Sequence, residues 1–92
     1  MLFLIEYDRS QRQLVTFKSY SSEQRQEARE ARLELELHCN RLRISREIVI
    51  LEARTEEQIR FTHGRYFYTL EQLLERMVEA INNHPLYSKA GL

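Results

Sequence analysis

Glu47-Ile48-Val49-Ile50-Leu51-Glu52 sets four consecutive apolar residues, three of them β-branched, between two glutamates. The run is too short for a buried helix and rich in residues that fit a pleated surface, so it reads as a strand. Successive side chains of a strand point to opposite sides, and an unbroken apolar run predicts burial on both faces.

Upstream, Leu2-Phe3-Leu4-Ile5-Glu6-Tyr7 has the same character, and Leu14-Val15-Thr16-Phe17 resumes it after the polar turn Asp8-Arg9-Ser10-Gln11-Arg12. Two short extended runs separated by about five polar residues predict a β-hairpin. The first run is apolar on both faces near its start and suits the inside of a sheet. The second, with Arg12-Gln13, Thr16 and Lys18, reads as an edge. Ser21-Ser22-Glu23-Gln24 is a capping-box pattern, and the residues from there to about Cys39 are strong helix formers without a β-branched side chain. At 3.6 residues per turn, Ala28, Ala31, Leu35, Cys39 and Leu42 share the face that should lie on the sheet. Asn40 is the expected left-handed residue after that helix.

Downstream, residues 55–69 admit two readings. Thr55-Glu56-Glu57-Gln58 is a second capping box and favours a helix presenting Ile59, Thr62, His63 and Tyr66 on one face. The competitor is a hairpin, Ile59–Thr62 and Arg65–Tyr68 joined at His63-Gly64. Thr69 and Gln72 make a third box, and Leu70, Leu73, Leu74, Met77, Val78 and Ile81 then form one apolar stripe, stopped at Asn82-Asn83-His84-Pro85. The order is β-β-α-β-α-α. The apolar first strand places the third strand beside it, giving an α+β fold with an antiparallel sheet in the order 2-1-3. Residues 1–84 form a single domain and 85–92 a flexible C-terminal tail.

Composition narrows the function classes. The 92 residues carry 14 Lys and Arg against 14 Asp and Glu, a formal charge of zero. The basic surplus of a nucleic-acid binder is absent, and self-repulsion between copies is weak. Apolar residues make up 42% of the chain, too many for disorder. The lone Cys39 cannot form an internal disulfide and fits a reducing, cytoplasmic setting. Met1–Ile5 is apolar, but Glu6 and Asp8 end it well short of a signal h-region or a membrane span.

No catalytic or nucleotide-binding motif is present, since two glycines, Gly64 and Gly91, cannot build a phosphate-cradling loop. His38, Cys39, His63 and His84 lack the spacing of zinc ligands, and Cys39 on the apolar face reads as a small buried hydrophobe. No metal or cofactor is expected. His63, Tyr66 and Tyr68 are the candidates for lining a pocket, against the plainer reading of a core-edge histidine and packed aromatics.

The long helix carries an acidic stripe (Glu23, Glu27, Glu30, Glu34) and, nearly opposite, a basic one (Arg25, Arg29, Arg32). Leu33 and Leu37 fall between them, away from the sheet-facing side. These leucines are covered either by the later helices or by another chain. In the second case Leu33 and Leu37, flanked by Glu30 and Glu34 on one side and Arg29 and Arg32 on the other, form a seam that complements itself between parallel helices. The expectation is a non-catalytic cytoplasmic protein–protein interaction module that associates with itself as a homo-oligomer. The alternative is an RNA- or DNA-associated protein contacting phosphates through Arg41, Arg43 and Arg46.

Overall fold

A strand with apolar side chains on both sides must have both sides covered, and the first strand sets that requirement. In the computed structural model, which describes residues 1–83, β1 (Leu2–Asp8) is the middle strand of a three-stranded sheet. β2 (Gln13–Tyr20) pairs antiparallel with one side of it and β3 (Glu47–Glu52) antiparallel with the other. The strand order β2-β1-β3 is the one expected. Leu2, Phe3, Leu4, Ile5, Glu6 and Tyr7 are all buried.

One face of the sheet is covered by α1 (Arg25–Arg41), entered through a 3-10 turn at Ser22–Gln24. Gln24 folds back to accept a hydrogen bond from the Ser21 amide at 2.9 Å, as the capping pattern implies. Ala28 and Cys39 are buried, and Ala31 and Leu35 pack with Ile48 and Ile50 on Leu2, Leu4 and Tyr20. Leu42, expected to extend this face, is exposed. It lies past the last helical turn, where the chain leaves the sheet.

The opposite face is covered by α2 (Glu56–Thr62) and a 3-10 turn at Gly64–Tyr66. The helix reading of this segment is the one the structure adopts. The Thr55 side chain accepts from the Gln58 amide at 3.0 Å, whereas Gln58 accepts from the Arg54 amide, so the reciprocal half of the box is displaced by one residue. Ile59 and Tyr66 are buried, and Phe67 packs edge-on against Phe17 with ring centroids 5.1 Å apart. Thr62, on the predicted apolar face, is exposed and bonds back to the Gln58 carbonyl.

Two further expectations need correction. First, β3 is only half-buried, because it is a sheet edge and no strand flanks its outer side among the described residues. Second, the left-handed residue after α1 is Arg43, with φ of 54°, and not Asn40, which is still helical. The amides of Arg43 and Ile44 bond to the Asn40 and Cys39 carbonyls at 3.2 and 2.9 Å, a Schellman-type closure that requires left-handed backbone two residues past Arg41.

α3 (Leu70–Asn82) is capped by a complete box: Thr69 and Gln72 exchange side chain-to-amide bonds at 2.9 and 3.1 Å. Its stripe is not packed on the sheet. Leu73 is half-buried, but Leu74, Met77, Val78 and Ile81 are exposed. Three strands span roughly 10 Å from first to last axis, room for one helix on each face. Both places are taken. The tail expected over residues 85–92 lies outside the described residues.

A non-glycine residue held left-handed is strained by about 1 kcal/mol. Replacing exposed Arg43 with Gly should therefore raise stability by about that amount, while Asn40→Gly, inside the helix, should lower it by about 0.5 kcal/mol. Urea denaturation of the two variants separates these outcomes.

Candidate functional site

The register of the sheet places an acidic side chain on each face near one end of β1. On the α1 face Glu6 sits inside the apolar run and is itself buried. It accepts from the Thr16 hydroxyl at 2.7 Å, from an Arg46 guanidinium nitrogen at 3.3 Å and from the Cys39 thiol at 3.6 Å. Arg46 also lies 3.7 Å from Asp8, beyond hydrogen-bond reach, and its Nε has no partner in the protein. Asp8 spends its other oxygen on the turn, accepting from the Ser10 hydroxyl and amide and from the Gln11 amide. Those bonds, led by the Ser10 hydroxyl, hold its carboxyl below the usual range. A buried carboxylate is costly unless paired, and Thr16 and Arg46 supply the pairing.

Across the sheet Glu47, paired with Tyr7, gathers the second cluster. Its oxygens accept from Arg65 in a two-pronged arrangement, from Arg9 at 3.2 Å and from the Tyr66 hydroxyl at 2.9 Å. The Arg65 guanidinium also lies 4.1 Å from the Tyr66 ring centroid, and Tyr66 meets Tyr7 edge-on at 5.3 Å. The Arg65 bonds, supported by those of Arg9 and Tyr66, lower the Glu47 carboxyl to about 2. Burial, then the bond to Glu47, raises the Tyr66 phenol. Neither cluster was legible as a cluster beforehand. The available signals were Glu6 within an apolar run and Glu47 at the head of a strand.

The carboxylates of both clusters are paired internally, and the one buried side-chain polar atom left without a partner among the described residues is Arg46 Nε. Burial and the adjoining Glu6 carboxylate raise the Cys39 thiol, which disfavours the thiolate a nucleophile or metal ligand needs. No group of three or more metal-ligating side chains occurs among the described residues. His63 and Tyr66 lie together, rings near-parallel at 6.4 Å, and His63 Nδ1 is 2.9 Å from the Thr62 hydroxyl. Tyr68 belongs elsewhere: it stands beside Gly64 and stacks under Arg76, whose guanidinium is 4.5 Å from the ring. The predicted pocket residues therefore divide between two environments.

Of the predicted phosphate contacts, Arg41 and Arg43 are exposed, whereas Arg46 is folded onto Glu6 and Asp8. Leu33 and Leu37 are 55% and 44% exposed. The later helices do not cover them: α2 lies across the sheet from α1. Glu30 accepts from Gln26 and Arg32 pairs with Glu36 within one helix, while Arg29 and Glu34 are exposed.

Four large apolar side chains of α3, Leu74, Met77, Val78 and Ile81, are between 47% and 60% exposed, and Phe61 of α2 is 80% exposed. A groove of about 430 Å³ between α2 and α3 is lined by Phe61, Leu73 and Met77 with Arg60 and Arg76. No helix among the described residues is long and apolar enough to cross a membrane. Comparison with known proteins finds no matching family, no matching curated protein and no matching solved structure.

Glu47 gives a signed pH dependence. A carboxyl held at about 2 when folded and near 4.5 when unfolded stabilises the fold fully above pH 4.5, and that stabilisation is lost as pH falls toward 2. Glu47→Gln should cost about 1–3 kcal/mol at neutral pH and flatten the fall in stability over that acid range. Urea midpoints measured across pH check both effects.

Proposed function

We propose that this chain is a non-catalytic protein–protein interaction module that associates with copies of itself. The observation that carries the reading is the uncovered apolar face of α3. A helix of 13 residues is marginal in water by itself, and most helices of that length persist because an apolar face is packed. Covering four half-exposed large side chains is worth roughly 3–6 kcal/mol. Leu33 and Leu37 add a second apolar strip on the opposite side of the domain. A second copy is the favoured occupant because the zero net charge sets up little repulsion between copies. The Glu30/Glu34 and Arg29/Arg32 flanks of the α1 strip are also mutually complementary. Internal pairing of Glu6, Glu47, Arg46 and Arg65 supports the non-catalytic part.

Sedimentation over a wide concentration range tests this. The average mass should rise with concentration, and Met77→Glu, at an exposed position, should weaken association at least about tenfold while leaving the circular dichroism unchanged. A strict monomer at every concentration would remove the proposal's support.

The nucleic-acid alternative retains Arg41 at the end of α1 and Arg43 just after it but loses Arg46 to Glu6. If this loop alone met phosphates, the salt dependence of binding in a filter assay would be shallow, with a log–log slope no steeper than about −2. A steep slope would restore the alternative.

A further inference from the structure

The two edges of the sheet are built differently. β2 contains a bulge, where the register to β1 slips between Glu6 and Tyr7 so that Val15 has no counterpart, and it presents Lys18. A bulge and an edge lysine are both devices that discourage further pairing. β3 pairs with β1 in unbroken register over Glu47–Glu52 and contains no proline, glycine or lysine. Its side chains between the two glutamates are Ile48, Val49, Ile50 and Leu51.

The direction of its backbone groups follows from the end of the ladder. Met1 and Ala53 exchange both hydrogen bonds, at 2.8 and 3.0 Å. Hydrogen-bonded pairs alternate along an antiparallel ladder, so the amides and carbonyls of Glu47, Val49 and Leu51 point at β1. Those of Ile48, Ile50 and Glu52 point away from it. Among the described residues no backbone bond reaches these outward amides.

We infer that β3 is the seam of a two-fold dimer in which the edges of two copies pair antiparallel and join their sheets into one. This rests on the self-association proposed above and names its geometry. A two-fold axis perpendicular to the sheet keeps each face continuous, so facing residues must share a face. With the axis at Val49, Ile48 of one copy faces Ile50 of the other on the α1 side, and each pair exchanges both of its outward amide–carbonyl bonds. Val49 faces Val49 on the α2 side. At the ends of the seam Glu52 comes opposite Arg46 of the second copy, whose guanidinium stays on Glu6 and Asp8. Moving the axis to Ile50 would instead set Glu52 against Ile48 and Val49 against Leu51, leaving Ile50 against Ile50 as the one pair of β-branched residues. Cross-strand β-branched pairs favour the first register. Fitting the edge to a copy of itself satisfies outward backbone groups that would otherwise face only water.

Residue-resolved amide hydrogen exchange at low and high protein concentration tests the seam. The amides of Val49 and Leu51 should be protected at both concentrations. Those of Ile48, Ile50 and Glu52 should exchange quickly when dilute and slow at least about tenfold when concentrated. Glu52→Pro removes an outward amide at an exposed position and should abolish the concentration effect while Val49 stays protected. Association without slowing at Ile48, Ile50 and Glu52 would overturn the seam and leave self-association standing. A monomer at every concentration would overturn both.

Discussion

The fold depends on burying β1 from both sides. Leu2 and Leu4 point one way and Phe3, Ile5 and Tyr7 the other, so neither face can be left to water. β2 and β3 must flank the strand, and a helical layer must cover each face. Arg9–Arg12 closes the hairpin, and α1 then crosses one face to deliver β3 to the far side of β1. The segment after β3 returns over the other face, where Ile59 and Tyr66 are inserted. Each element from β2 to Tyr66 is placed where the first strand still needs cover.

That arrangement also explains the position of the charges. Glu6 and Glu47 lie on opposite faces of the sheet near the same end, and each collects arginines and hydroxyls from elements distant in sequence. Glu6 ties β2, α1 and the loop before β3 together through Thr16, Cys39 and Arg46. Glu47 ties the hairpin turn to the 3-10 segment through Arg9, Arg65 and Tyr66. Removing one member of such a set costs more than the lost bond, because its partner is then left unpaired away from water. These pairings specify how the layers lock at that end.

The order of elements and the strand neighbours were legible from apolar periodicity, because β1 shows a two-sided pattern that only a middle strand can satisfy. The capping boxes located the starts of α1 and α3 for a similarly local reason: the groups that bond are three residues apart. What periodicity could not convey was competition for space. The run Ile48–Leu51 is as apolar as β1 and was expected to be equally buried, yet only one strand of three has two neighbours. The stripe on α3 has the spacing of a packed face, and nothing in its own residues records that the sheet has no room for it. The left-handed Arg43 was missed because residue preference pointed to Asn40, whereas the closing hydrogen bonds placed the turn three residues later. At the candidate sites, Leu33 and Leu37 were placed outside the sheet-facing side by simple helical geometry. Arg46 was misjudged as a free loop cation because its partners, Glu6 and Asp8, are some forty residues away.

One shortage of sheet surface links the exposed features. Two more strands beside β3 would widen each face and make room for another helix; with three strands, apolar side chains on α3 and unpaired backbone on β3 are left over together. The two leftovers differ in what they can specify. An apolar helical face is satisfied by many partners and sets no orientation, since burial of area is nondirectional. A row of amides and carbonyls is satisfied only by another strand in register, at one spacing. In this chain the protection is also one-sided: the bulge and Lys18 blunt β2, while β3 stays straight and without an edge cation. An edge left open by chance would carry the same aggregation hazard as any other and would gain from the same devices. Their presence on one edge and absence from the other is what separates the two, and it makes the edge the element able to set symmetry, with the apolar faces contributing affinity.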